Sequence, residues 1–564
     1  MADNQEQRTR RKHGLADLDQ SNESSQETML KSSAWLTAGS MISRLLGALY
    51  IIPWVMMMGN QVDSERANAL FTVGYGIYGI FLQISTAGFP SAISKLVADY
   101  NSRGEYKTSW RLFRSSMWFM LGAGIISGIV MYATAPLLAS GGVSENVAQG
   151  TLVIRSLVPA VVIIPAMSLL RGYYQGFNDM APSAISQLIE QVVRIIYMLV
   201  MTFMIMIVLN GDFSVAVAHS TFAAFVGAIA SMGYLFKKLW QDRPYLETLM
   251  AKSKPVRQQP TRIIIFEMIR ESIPFVIITS GIQLAYLVDQ FSFKQLAQLM
   301  MPQLSTADIE IHYALFASNG NKLIMIIISL AVSLAAAAIP LLATYFSAGN
   351  KAETKLIIRK NIGLYAFIMF PAAIGMAIVA QPIYNIFYFP NPLGAELLVV
   401  SCIMSIILGA YTILSAMLQA IQEHGEAIKG LAMGLLIKVL WQPVCVYFLG
   451  TAGPIWATTL AFTVSSVYML AQLYRITKFD LKGTMFDVLK ISGLTALMAV
   501  SAYLTLRPAS LVLSPERKVT AFIIVILVAL VGGGVYVIAS LKTRIADDML
   551  GDRSQTIRRK LRIK

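Results

Sequence analysis

The chain is short of charge. Only 14% of its 564 residues are Asp, Glu, Lys or Arg while 56% are hydrophobic, a balance that excludes an ordinary soluble domain and leaves the polytopic membrane class. Acidic residues are scarcer than basic ones, 31 against 46. Cysteine is almost missing. Cys402 and Cys445 both stand in apolar runs, which argues against a disulfide framework or a cysteine metal site and for small packing residues. The sequence holds no Walker-type glycine loop, no metal-ligand cluster and no nucleophile–base set, so neither ATP-driven transport nor an enzyme is expected, and no resident cofactor. No apolar core of a cleavable signal peptide starts near the N-terminus.

Long apolar runs are what the chain has in abundance. Windows of about 20 apolar residues predict roughly fourteen spans, near 32–58, 68–92, 112–138, 152–176, 183–209, 213–236, 265–291, 322–346, 361–388, 396–420, 428–448, 453–474, 487–506 and 519–541. The short stretch from Asn210 to Asp212 leaves the division between two of them open. Lys and Arg then set orientation, because cytoplasmic connections hold the positive charge. Alternate connections carry Lys95, Arg103, Lys107, Arg111 and Arg114; Lys237, Lys238, Arg243, Lys252, Lys254, Arg257 and Arg262; Lys351, Lys355, Arg359 and Lys360; and Arg475, Lys478 and Lys482. The opposite connections are poor in cations, with Arg66, Lys294, Arg507, Arg517 and Lys518 as exceptions. The expected location is the cell membrane, multi-pass, with both termini cytoplasmic. The net charge of +15 then reads as topology and attraction to anionic membrane lipids, and no nucleic-acid partner is expected.

The expected organisation is a disordered cytoplasmic tail over 1–28, an N-terminal six-helix lobe over 29–237 and a basic linker over 238–262 containing Pro244, Pro255 and Pro260. A C-terminal six-helix lobe over 263–476, an extra helix pair over 477–543 and a basic tail over 544–564 follow. An internal repeat supports the two lobes. Sliding the second half onto the first by 438 − 194 = 244 residues lays YYQGFNDMAPSAISQLIEQVVRIIY, from Tyr173, on MLQAIQEHGEAIKGLAMGLLIKVLW, from Met417. Gln175 then meets Gln419, Asp179 meets Glu423, Arg194 meets Lys438 and Tyr197 meets Trp441. Repeated halves are the usual architecture of alternating-access carriers, with cargo near the midplane. The predicted fold class is an all-α polytopic membrane protein of about 14 transmembrane helices, with two six-helix pseudo-repeat lobes and two extra helices.

Ionisable groups inside the spans mark candidate sites, since a cation at the centre of a spanning helix costs on the order of 3 kcal/mol on insertion scales. Gln187, Glu190, Gln191 and Arg194 fall on one face of a helix. Either Glu190 and Arg194 neutralise one another in a helix contact, or the stripe lines a cavity in which Arg194 meets phosphate or carboxylate. Lys438 has no carboxylate within one turn; it takes water, an anion or a carboxylate from another helix, Glu190 being one candidate. Arg44 interrupts the first span about 14 to 18 Å from its start at 1.5 Å per residue. Asp289, with Gln283 and Gln290, is either an ion-coupling site or an interfacial cap. Coupling to membrane potential, Na+ or H+ stays open. His219 reads as a hydrogen-bonded packing residue.

Three runs carry a family resemblance: LLRGYYQGFNDMAPSAISQLIEQVVRI from Leu169, MLKSSAWLTAGSMISRLLGALYIIP at the start of the first span, and TAGFPSAISKLVADY from Thr86. They resemble polysaccharide and lipid-linked oligosaccharide flippases of the multidrug/oligosaccharidyl-lipid/polysaccharide (MOP) superfamily, in the Gram-positive branch that includes MurJ-type lipid II flippases. The resemblance implies two lobes around a central cationic cavity and a lipid-tail groove formed by the extra pair. Arg44 matches the arginine of the family's first-span serine-arginine motif, which implies a contact with the lipid diphosphate. Where better-known Gram-negative members have a second arginine, this chain has Tyr50. The expected cargo is lipid II, an undecaprenyl-diphosphate-linked peptidoglycan precursor, and the expected partners are that lipid-linked diphosphate oligosaccharide and membrane lipids, with the protein a monomer. Substrate contacts are expected from Arg44, Gln187, Glu190, Gln191, Arg194 and Lys438, and ion coupling from Asp289. Alternatives are another lipid-linked polysaccharide or teichoic-acid unit, or a cation-coupled multidrug antiporter.

Overall fold

A computed structural model describes residues 46, 47, 49–86, 88–254, 261–336, 339–550 and 558. Arg44, the tail over 1–28 and most of the terminal segment from 551 lie outside the described residues. Among the described residues all regular structure is helical. Such an outcome is what lipid imposes, because a helix closes its own backbone hydrogen bonds where no water can do so.

Eleven helical stretches are long and apolar enough to cross a membrane, or twelve if the bent pair Ser272–Thr279 and Gly281–Met300, which breaks by 48°, is one span. That is fewer than the fourteen expected, for two reasons. The predicted first span falls mostly outside the described residues. The predicted spans 428–448 and 453–474 are joined in one 54-residue stretch, His424–Thr477, whose helices His424–Leu449 and Gly453–Thr477 are separated only by the 3-10 turn Gly450–Ala452. The chain is a multi-pass, all-α membrane protein.

Local chemistry sets the ends of the helices. At the division left open near Asn210, a π segment over Met204–Val208 ends the Ala181–Phe203 helix, Asn210 takes φ 49°, and Asp212 Oδ1 caps the next helix by accepting from Ser214 N at 2.6 Å. Ser305 and Asp308 form a reciprocal capping box ahead of Thr306–Tyr313. The Phe213–Ala251 helix runs far past its apolar part and takes in half of the basic stretch expected as a linker, Pro244 included. Buried Leu246 and Leu249 and the i, i+4 pairs Lys238–Asp242 and Arg243–Glu247 hold that extension against the break that proline favours.

The chain divides into two compact units. The first comprises residues up to 50, 77–138 and 148–276. Its main hairpin pairs Ala181–Phe203 with Phe213–Ala251, and the backbones approach so closely at Gly227 that a Cβ there would stand 2.6 Å from Glu190 O. The second unit comprises 51–76, 139–147 and 277–564. In it His424–Leu449 packs along Gly453–Thr477, again through a glycine, Gly434, whose Cβ would lie 2.9 Å from Ala461 O. The helices Leu481–Val512 and Lys518–Lys542 of the same unit pack on Lys351–Ile378 through Ala366, Phe367, Ile491, Leu494, Met498 and Tyr536.

Candidate functional site

The repeat seen in the sequence is also a repeat of backbone geometry. Val158–Gly176 and Pro392–Ala420 end 420 − 176 = 244 residues apart. Asn178 and Gln422, at the same offset, both enter the left-handed region, with φ 60° and 63°. Asn178 N donates to Gln175 O at 2.9 Å and Gln422 N to Gln419 O at 3.0 Å, while Asp179 N reaches Tyr174 O at 3.2 Å and Glu423 N reaches Leu418 O at 2.8 Å. Each turn aims the following helix and its central cation. Burial raises the pKa of the Asp179 carboxyl at the first of these turns, opposed by the hydrogen bond from Ala181 N.

In the first unit, Gln187, Glu190, Gln191 and Arg194 share the half-buried face of Ala181–Phe203. The carboxylate offered on sequence grounds to Arg194 or Lys438 is engaged by a different cation, Arg171. Its Nη2 donates to Glu190 Oε2 at 2.7 Å and to Ser231 Oγ at 2.9 Å, and its Nε donates to Ser186 Oγ at 2.8 Å. The two side chains keep 13% and 22% of their accessible surface, so the pair is neither dry nor free in water. Gln191 lies against Gly47: its Nε2 is 3.1 Å from the position of a Gly47 Cβ. Tyr197 OH and His219 Nδ1 are 3.1 Å apart, a hydrogen-bonded packing contact.

In the second unit Lys438 is wholly enclosed, at 0% exposure. Its ammonium donates to Asp289 Oδ1 at 2.6 Å, Thr458 Oγ1 at 2.7 Å and Pro454 O at 2.9 Å. Asp289 is therefore the carboxylate from another helix that Lys438 required, and it is 4% exposed. On either side of Asp289 in the same helix, Gln283 Nε2 donates to Gly76 O at 3.1 Å and Gln290 Nε2 to Val73 O at 3.3 Å.

Three further polar groups in the apolar bulk escaped the sequence reading. Arg171 stands near the end of its predicted span and looks there like an interfacial residue. Lys322 begins its predicted span, yet its Nζ donates to Asn68 Oδ1 at 2.9 Å and lies 4.6 Å from the Phe71 ring centroid. Glu310 precedes that span and is 2% exposed, with Arg66 Nε at 3.5 Å; Arg66 also pairs with Glu145. The available signal was the helix itself: the segment from Thr306 through Ser329 is long enough to span, so Glu310 and Lys322 belong to it.

Residues 29–346 match the family described as polysaccharide biosynthesis protein. The chain is 31% identical over 536 residues to the lipid II flippase MurJ of Bacillus subtilis (strain 168), across 93% of this chain and 97% of that protein. Its fold is similar to that of the lipid II flippase MurJ in an inward closed conformation, with a TM-score of 0.56 and 16% identity over 89% of this chain and 98% of the other. It is similar also to an inward-facing multidrug resistance MATE family transporter of the MOP superfamily, with a TM-score of 0.54 and 16% identity over 80% and 98% of the two chains. The two structural likenesses, at that identity, concern the fold alone.

Proposed function

We propose a function for this chain from a plain premise: it belongs to the polysaccharide biosynthesis protein family. The chain moves lipid II, an undecaprenyl-diphosphate-linked peptidoglycan precursor, from the cytoplasmic to the outer leaflet by alternating access. The observation that carries this reading is 31% identity along nearly the whole of both chains to a protein named for lipid II flipping. Lobes 29–237 and 263–476 are the moving bodies, both termini are cytoplasmic, and the working unit is a monomer.

Within that reading Arg44 and Arg194 bind the diphosphate, with Gln187 and Gln191 beside them on the sugar-peptide head. A guanidinium replaces the water that a phosphate loses on leaving solution, by two parallel charged hydrogen bonds. Support comes from the stripe's half-burial, which leaves it wettable in an otherwise oily helix, and from Gly47, three residues beyond Arg44 in sequence, which packs on Gln191. Glu190 serves by holding Arg171. Lys438 and Asp289 act as a charge pair and not as cargo ligands.

Reconstitution of the purified full-length chain in vesicles with lipid II tests the assignment. The Arg44→Ala and Arg194→Ala variants should insert normally and lose at least about tenfold in transport, one charged contact being worth about 1.4 kcal/mol or more. Full activity of both variants would sink the roles, and absence of lipid II transport by the parent chain would sink the cargo. A second reading is export of another lipid-linked polysaccharide or teichoic-acid unit, since the family's description names polysaccharide and no particular cargo. Native mass spectrometry of the co-purified lipid separates the two.

A further inference from the structure

We propose that the Lys438 ammonium is a tethered cation: it fills a site built for a free monovalent cation such as Na+, so that this chain supplies Asp289 with its own counter-ion and takes none from solution. The inference goes beyond the cargo reading and holds for any cargo.

The ligand set comes first. A lysine ammonium has three N–H donors, and here each finds one oxygen: a carboxylate of Asp289, a hydroxyl of Thr458 and a main-chain carbonyl of Pro454. These are the hard oxygen donors that alkali and alkaline-earth ions take. Thr458 is oriented as such a ligand. Its hydroxyl donates to Pro454 O at 2.9 Å, which turns a lone pair toward the cation.

The second observation is a spare oxygen. Gln442 lies one helical turn beyond Lys438 and is 1% exposed. Its Nε2 donates to Ser292 Oγ at 2.8 Å, while its Oε1 is buried without a hydrogen-bond partner. An orphaned buried acceptor is costly and calls for an explanation. This acceptor belongs to a side chain one turn from the ammonium, whose three hydrogens are all used.

The third observation is the backbone. Pro454, the second residue of Gly453–Thr477 after the 3-10 turn Gly450–Ala452, offers its main-chain carbonyl both to the ammonium and to the Thr458 hydroxyl. The charge count agrees. One carboxylate among neutral oxygens is balanced by one positive charge, which a monovalent ion or an ammonium supplies and a divalent ion exceeds.

The test uses the full-length protein in detergent, unfolded thermally in NaCl and in choline chloride at matched ionic strength. The unmodified chain should melt within about 1 °C in the two salts, and Lys438→Ala should melt several degrees higher in NaCl, saturably, because a ligand that binds only the folded state stabilises it by mass action. Adding Asp289→Ala to Lys438→Ala should abolish that response. A saturable sodium-specific rise in the unmodified chain overturns the proposal, as does a folded Lys438→Ala protein indifferent to sodium. If Lys438→Ala does not fold, lipid II transport by the unmodified chain with Na+ replaced by choline on both sides decides instead. An unchanged rate supports the proposal and a tenfold loss overturns it. Failure of the cargo reading shows separately, as no lipid II transport in either salt.

Discussion

Two helices at matching places in the repeat have treated the same problem in opposite ways. Ala181–Phe203 carries Arg194 on a half-buried polar face with Gln187, Glu190 and Gln191, and its carboxylate is held by Arg171 from the preceding helix at 2.7 Å. His424–Leu449 carries Lys438 at 0% exposure, with every donor committed. The turns that introduce the two helices have the same backbone conformation, so the difference lies in the side chains. A guanidinium presents five donors in a planar fork and tolerates partial hydration, whereas an ammonium is compact and can be enclosed by three oxygens. One repeat has kept a wettable surface and the other has closed its charge into the protein.

The largest effect should come from breaking the closed site. Asp289→Ala leaves an ammonium buried beside a hydroxyl and a carbonyl, and loss of one partner of a buried pair costs on the order of 3–5 kcal/mol. Chemical or thermal unfolding should show that loss, and Lys438→Met added to Asp289→Ala should restore much of it; a double variant no better than the single would mean the pair is not the unit described. The half-open site should yield less. Arg171→Met strands Glu190 at partial exposure, for a cost of about 1–3 kcal/mol, and Arg171→Lys should recover part of it.

A smaller effect separates the two hairpins. Gly227→Ala and Gly434→Ala each push a methyl against a main-chain carbonyl, at 2.6 and 2.9 Å, and overpacking of this kind costs about 1–3 kcal/mol. The tighter contact should lose more in melting temperature, and equal losses would show that the Gly227 crossing relaxes freely. The smallest effect lies in the paired turns. Asn tolerates the left-handed region better than Gln, and that conformation costs an ordinary residue about 1–2 kcal/mol. Gln422→Gly should therefore stabilise by several tenths of a kcal/mol and Asn178→Gly by less or not at all.

How far these features could be read in advance differs from residue to residue. Arg194, Lys438 and Asp289 were visible as ionisable groups in apolar runs because lipid makes such residues rare. The partners of Glu190 and Lys438 were not. Arg171 lies 19 residues from Glu190 and Asp289 lies 149 from Lys438, and neither spacing has a periodic signature. Pro244 misled the reading of the basic stretch, since its breaking tendency was legible and the buried Leu246 and Leu249 that outweigh it were not. Arg171 and Lys322 were overlooked because a cation at a span's end looks like one that reaches water.

The amino-acid sequence by itself determined the class of the protein, most of its helical spans and the repeat at an offset of 244 residues. Hydrocarbon makes charged side chains costly and requires helices that satisfy their own backbones, so composition and run length place most spans. Only the tertiary structure decided which charges meet. A buried ion pair needs its atoms within about 3 Å after the helices have packed, and the close approaches at Gly227 and Gly434 that set that packing are properties of neighbouring helices, invisible along any one of them.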